Sequence, residues 1–209
     1  MVDIVPAILT NSQADFSQKL AIIHTHGKRV HVDCIDTTWC PNQTLGPQLW
    51  GAIPGCLMIE AHLMVGNPLD WIKPCVESGC TTIISQIETI RDQVEFMTLI
   101  KKRGLKVGFA VDIDTPLTMI EQDVYEKLDS VLLLSVKAGY SGQEFNCDVV
   151  QKIRNAKQLF PKSIVLGVDG GIDLVAAKLC IRAGADELVV NSYLWPDFEN
   201  NLRLLQQIQ

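Results

Sequence analysis

Eight short runs of aliphatic and β-branched residues recur along this chain, beginning near Ile4, Val30, Leu57, Thr82, Lys106, Ser130, Ser163 and Glu187. Their spacings are 26, 27, 25, 24, 24, 33 and 24 residues. That is the length of chain a strand needs to cross back through a helix and lie parallel to its predecessor. Segments with helical spacing lie between the runs. Over residues 90–100, Ile90, Val94, Met97 and Ile100 fall on one stripe, with Arg91, Asp92 and Glu95 opposite. Leu174, Ala177, Lys178 and Ile181 recur in the same way behind Asp173, a candidate N-cap. Gly79, Gly104 and Gly184 stand where a helix should end ahead of the next strand. Eight such units predict an α/β fold, one (β/α)8 TIM barrel of parallel strands over residues 1–209. A doubly wound open sheet would carry a glycine fingerprint after its first strand. Here that strand runs into Pro6-Ala7-Ile8-Leu9, and no G-x-G-x-x-G follows. No Pro-, Gly- or Ser-rich linker divides the chain.

Composition agrees and narrows the partners. Hydrophobic residues make up 47% and charged residues 20%, enough apolar surface for a packed core. Lys plus Arg number 18 against 24 Asp plus Glu, a net charge of −6, the wrong sign for a nucleic-acid partner. Apolar runs such as Val131–Leu134 are far too short to span a bilayer, and no basic amphipathic stretch suggests membrane docking. The opening Met-Val-Asp-Ile-Val-Pro lacks the basic region of a secretory signal. Seven cysteines without a C-x-x-C pair read as reduced thiols, most of them packed as small hydrophobes, in a cytoplasmic protein.

In a TIM barrel the chemistry sits on the loops at the C-terminal ends of the strands. The second strand carries His31 and Asp33, two residues apart and therefore on one face, with the flanking valines directed toward the helices. The third ends in His62 and the seventh in Asp169. Two imidazoles and two carboxylates thus converge on one barrel mouth, and buried carboxylates side by side call for a cation. The set suits one divalent metal ion, Zn²⁺ first, with Fe²⁺, Mn²⁺ or Co²⁺ open as well. The sixth strand leads into Gly139-Tyr140-Ser141-Gly142-Gln143, the seventh into Gly170-Gly171 and the eighth into Asn191-Ser192. Glycine lets backbone N–H groups approach a phosphate, and the loops after strands seven and eight are its usual seat in such barrels.

In order, Pro6–Leu9, His31–Asp33 with Pro41-Asn42 and Gly46-Pro47, His62–Met64 with Asn67-Pro68, Thr115–Leu117, Ser135-Val136 with Gly139 to Phe145, and Val168–Gly171 make the chain resemble the ribulose-phosphate 3-epimerase family. The resemblance implies metal ligands at His31, Asp33, His62 and Asp169 and acid/base carboxylates at Asp33 and Asp169. It also implies a homo-oligomer, a dimer or hexamer. Departures from the family pattern cluster on the catalytic rim. Ala7 stands at a substrate-contacting serine position. Ile35 and Leu134 replace two pocket methionines, leaving Met64. Thr37 replaces a glycine, Gln86 a histidine and Asp112 an asparagine. Lys137-Ala138 stands for Asn-Pro, and Ser141 and Asn191 for glycines beside the phosphate.

The activity so implied is 3-epimerisation of a ketose phosphate, D-ribulose 5-phosphate to D-xylulose 5-phosphate. Asp33 removes the C3 proton, a metal-stabilised enediolate forms, and Asp169 returns a proton on the other face. The binding residues would be Ala7, His62, Gly139, Tyr140, Ser141, Gly142, Gly170, Gly171, Asn191 and Ser192. Alternatives are a 3-epimerase of a ketohexose 6-phosphate, such as allulose 6-phosphate, and a catalytically poor paralogue that binds sugar phosphates. Lys137, after the sixth strand, is a candidate cation for an anionic substrate.

Overall fold

The computed structural model describes residues 2–208. Its strands are β1 (Asp3–Ile8), β2 (Arg29–Ile35), β3 (Met58–Met64), β4 (Thr82–Gln86), β5 (Lys106–Val111), β6 (Ser130–Leu134), β7 (Val165–Asp169) and β8 (Glu187–Val190). No expected strand start is off by more than two residues. Each strand pairs in parallel with the next, and β1 pairs in parallel with β8, closing a TIM barrel in chain order.

The helices are α1 (Gln13–His26), α2 (Leu69–Glu77), α3 (Gln93–Lys101), α4 (Asp148–Leu159), α5 (Leu174–Ala183) and α6 (Phe198–Gln206). Contrary to the one-helix-per-strand expectation, the described residues after β2 and β5 carry only 3-10 turns, Pro47–Leu49, Leu117–Met119 and Gln122–Val124. The β2–β3 connection contains Pro41, Gly46, Pro47, Gly51, Pro54 and Gly55. Each proline removes a donor and biases its predecessor away from the α region, so no helix propagates there. Pro116 acts on Thr115 in the same way after β5.

Two helix faces also differ from expectation. Asp92 caps α3, its Oδ1 accepting from the Glu95 N–H at 2.8 Å, so the helix begins after Ile90 and Arg91. Its buried face is Gln93, Phe96, Met97 and Ile100, and Val94 is 45% exposed. Gln93 is buried because its amide is used: Nε2 donates to Met119 O at 2.8 Å, and Oε1 accepts from the Glu121 N–H at 2.9 Å. In α5 the buried residues are Ala176, Ala177, Cys180 and Ala183, while Lys178 points to solvent. Asp173 does cap α5, accepting from the Val175 and Ala176 N–H groups at 2.9 and 2.8 Å. Asp173→Ala should therefore lower unfolding stability by about 1 kcal/mol, read by denaturant titration, and Asp173→Ser should restore most of it.

Strand alternation separates two apolar layers. Val30, Val32, Ile59, Ala61, Leu63, Val131, Leu133, Leu166 and Val168 point outward against the helices. A smaller cluster of Val5, Ala7, Ile84, Ala110, Leu132, Leu134 and Val189 fills the interior. Polar residues share that interior, and they make the site. All seven cysteines are free, and Cys34, Cys75, Cys80 and Cys180 are buried. Among the described residues no helix is long and apolar enough to cross a membrane.

Candidate active site

Strand register brings the polar residues together. Among the inward positions are His31 and Asp33 in β2 and Glu60 and His62 in β3. Parallel pairing sets His31 beside Glu60 and Asp33 beside His62. Asp169, at the end of β7, pairs with Leu134 on one side and Val189 on the other. Thr44 anchors the end of β2, its Oγ1 donating to Asp33 O at 2.7 Å and accepting from the Ile35 N–H at 2.9 Å.

Ligand-type atoms of His31, Asp33, His62 and Asp169 all lie within 4.8 Å of one another. His62 Nδ1 is 3.0 Å from Asp33 Oδ1, and His62 Nε2 is 3.4 Å from Gln86 Oε1. His31 Nδ1 lies 2.8 Å from Glu60 Oε1. Its Nε2, fully buried, has no hydrogen-bond partner, although Asp33 Oδ1 is 3.4 Å away. A buried ring nitrogen without a partner, aimed into a cluster of two carboxylates and a second imidazole, is the donor set a divalent cation completes. The four residues therefore fit a metal ion, and their mixed N and O character does not select among Zn²⁺, Fe²⁺, Mn²⁺ and Co²⁺.

The two carboxylates are driven apart electrostatically. Burial would raise the Asp33 carboxyl, but hydrogen bonds and charge from His31 and His62 overcome it and hold the group well below the usual carboxylate range. For Asp169, burial and then the nearby Asp33 charge push the value up to about 6. Burial disfavours a charged His31, yet Asp33 and Glu60 outweigh it and raise the imidazole well above its ordinary value. Burial likewise works to raise Glu60, while the His31 hydrogen bond and the Arg29 charge bring it down.

Above the cluster lies a cleft lined by Asp33, Met64, Leu134, Lys137 to Gln143, Asp169 to Ile172, Asn191 and Ser192 among others. Nearly all the expected binding positions meet here, namely Gly139, Tyr140, Ser141, Gly142, Gly170, Gly171, Asn191 and Ser192. His31 and His62 lie beneath and are fully buried. Ala7 is 1% exposed, packed in the interior apolar cluster beside His31, and does not line the cleft. Lys137 stands at the rim, 77% exposed, its Nζ 3.6 Å from Asp114 Oδ2.

Side chains from neighbouring loops hold the glycine rim. Ser135 Oγ hydrogen-bonds Gly170 O and Asp169 O, tying the loop after β7 to β6. Gln143 Nε2 donates to Lys137 O and Tyr140 O at 2.8 and 2.9 Å. Trp39 Nε1 donates to Ala138 O at 3.1 Å, and Asn42 Nδ2 donates to Gly139 O at 2.6 Å, so the loop after β2 braces the loop after β6. Gly171 has φ +61°, and a Cβ there would lie 2.5 Å from Phe145 N, so only glycine fits. Asn191 Oδ1 is engaged by Trp195 Nε1 at 2.8 Å.

The interior also holds residues that the sequence reading passed over. Arg29 Nη2 reaches both Glu60 Oε2 and Glu187 Oε2 at 2.9 Å, and Nη1 reaches Asp3 Oδ2 at 3.1 Å. Glu60 precedes His62 by two positions, so alternation alone places it inward; its proximity to His31 depends on how β2 and β3 pair.

A family model described as the ribulose-phosphate 3 epimerase family matches residues 3–195. The ribulose-phosphate 3-epimerase of Chlamydia pneumoniae is 37% identical over 173 residues, 79% of this chain and 75% of that protein. That of Bacillus subtilis is 31% identical over 202 residues, 93% of each chain. Among solved structures, 3-hexulose-6-phosphate synthase from Salmonella typhimurium superposes with a TM-score of 0.73 over 99% of this chain and 98% of that one, at 14% identity, a likeness of fold alone.

Proposed function

Because this chain belongs to the ribulose-phosphate 3-epimerase family and is a carbohydrate epimerase of the isomerase class, we propose that it interconverts D-ribulose 5-phosphate and D-xylulose 5-phosphate, with Asp33 and Asp169 moving the C3 proton. One observation carries this: of the four clustered ligand-type residues, only the two carboxylates line the cleft. A sugar lying there can meet Asp33 and Asp169, while His31 and His62 are sealed below. Both carboxylates line the cleft, so one can accept the C3 proton while the other delivers one, Asp33 in the first role and Asp169 in the second. In the reverse direction the roles exchange. A divalent cation, Zn²⁺ by our expectation, held by His31, Asp33, His62 and Asp169 would supply Lewis-acid stabilisation of the negative charge that develops when C3 loses its proton.

The glycine rim is where a substrate phosphate would be held. Among the described residues, the N–H groups of Gly142, Gly171 and Ser192 donate to no protein acceptor, leaving them for anionic oxygens. The test is to incubate the purified, metal-loaded protein in ²H₂O with ribulose 5-phosphate and with ketohexose 6-phosphates. Exchange at C3 with formation of xylulose 5-phosphate supports the proposal. Faster turnover of a hexulose phosphate would reassign the substrate, and no C3 exchange on any ketose phosphate would overturn the activity.

Lys137 lends itself to a smaller test. Its ammonium is exposed and only loosely paired with Asp114, so a contact with substrate phosphate is worth about 1 kcal/mol at most and weakens with salt. Lys137→Ala should raise KM for the phosphorylated ketose several-fold at low ionic strength and leave kcat nearly unchanged. The unphosphorylated sugar should be poor for both proteins and insensitive to the change. An unaltered KM at low salt would reduce Lys137 to a surface charge.

A further inference from the structure

We propose that Glu60, backed by Arg29, is a positioning residue that locks His31 in the tautomer with its proton on Nδ1, leaving the Nε2 lone pair to the metal site. The inference rests on the metal reading above and extends it to the floor of the barrel. Glu60 Oε1 lies 2.8 Å from His31 Nδ1, and an ionised carboxylate can only accept, so the proton belongs on Nδ1. Nε2, fully buried and without a hydrogen-bond partner, faces Asp33 and His62.

Glu60 cannot turn away, because its other oxygen is bound. Arg29 Nη2 holds Glu60 Oε2 at 2.9 Å and bridges to Glu187 Oε2 at the same distance. Glu187 in turn fits because β7 has glycine opposite: a Cβ on Gly167 would come within 3.0 Å of Glu187 Oε1. Three strands thus converge beneath His31. Arg29 thus ties Glu60 to Glu187, with Asp3 at the edge, on the floor beneath His31. A metal-bound imidazole whose other nitrogen is bonded to a carboxylate is both oriented and made a better donor, an effect worth about 10–100-fold in metal affinity.

The experiment measures metal binding directly. Zn²⁺ affinity is obtained by competition with a chromophoric chelator, and Co²⁺ loading is followed by its visible absorption, for the unaltered protein, Glu60→Gln and Glu187→Gln. Glu60→Gln keeps the size of the side chain but removes the obligate acceptor. Its Zn²⁺ dissociation constant should rise about 10–100-fold and its Co²⁺ bands should shift. Glu187→Gln, which leaves the Glu60–His31 pair intact, should change both far less. Unchanged affinity in Glu60→Gln, or equal losses in the two variants, overturns the proposal. Should Glu60→Gln fail to fold, ¹H–¹⁵N histidine spectra of the unaltered Zn²⁺ protein decide, with the His31 proton expected on Nδ1 and refuted if found on Nε2. If the unaltered protein binds no divalent metal, the metal reading itself falls and this inference with it.

Discussion

Asp33→Asn and Asp169→Asn should each lower epimerisation by about 10²–10⁴-fold or more, the contribution of a positioned acid or base. Asparagine keeps the shape of the side chain and cannot carry the proton. Inversion at C3 needs a carrier on each face of the sugar, so neither aspartate can substitute for the other. The two variants should differ in what survives. With Asp169 replaced, Asp33 can still exchange with solvent the C3 proton of the epimer that presents it to the Asp33 face. With Asp33 replaced, the other epimer is the one that can exchange. Following ²H incorporation from ²H₂O into each epimer separately gives this pattern directly. Normal epimerisation by both variants, or exchange of the same epimer by both, would rule out the two-carboxylate assignment.

Stripping divalent metal with a strong chelator should abolish C3 exchange, and adding Zn²⁺, Fe²⁺, Mn²⁺ or Co²⁺ should restore it to an extent that ranks the metals. Several kcal/mol of charge stabilisation corresponds to about 10³-fold or more in rate. A second consequence is independent of turnover. The cation binds the folded site and not the unfolded chain, so at a hundredfold excess over its dissociation constant it adds about 2.7 kcal/mol to stability. Tm should therefore fall on chelation and recover on reloading. Full activity in a preparation shown to be metal-free would sink the mechanism. Loss of activity without a change in Tm would point to inhibition by the chelator instead.

The residues that read most clearly from the chain alone are those placed by local periodicity. Strand starts lie within two residues of where the aliphatic runs put them. His31 and Asp33 share the inward face because alternate side chains of a strand must do so, and Val30 and Val32 consequently pack against the helices. The glycines beside the cleft stand out in the chain because they follow strand ends, and Gly142, Gly170 and Gly171 sit at φ +78°, +107° and +61°, which other residues rarely adopt. Helix faces were less transparent. In α3 the apolar stripe through Ile90 and Val94 competed with the Asp92 cap, and the cap prevailed because its carboxylate satisfies a backbone N–H that the longer helix would leave no better paired.

Other features depend on partners far away in the chain, and no local pattern contains them. The pairing of β2 with β3 puts Glu60 against His31 rather than merely on the same strand as His62, and Arg29 reaches Glu187 across 158 positions of sequence. Ala7 occupies an inward position like the others, but closure of β1 against β2 sets it beside His31 under the cleft instead of on its wall. Side-chain period is a property of one strand and survives any arrangement of its neighbours. Register, depth along the barrel and the stacking of one inward residue over another arise only when eight strands hydrogen-bond into a closed sheet, because closure forces every strand to one stagger relative to the next.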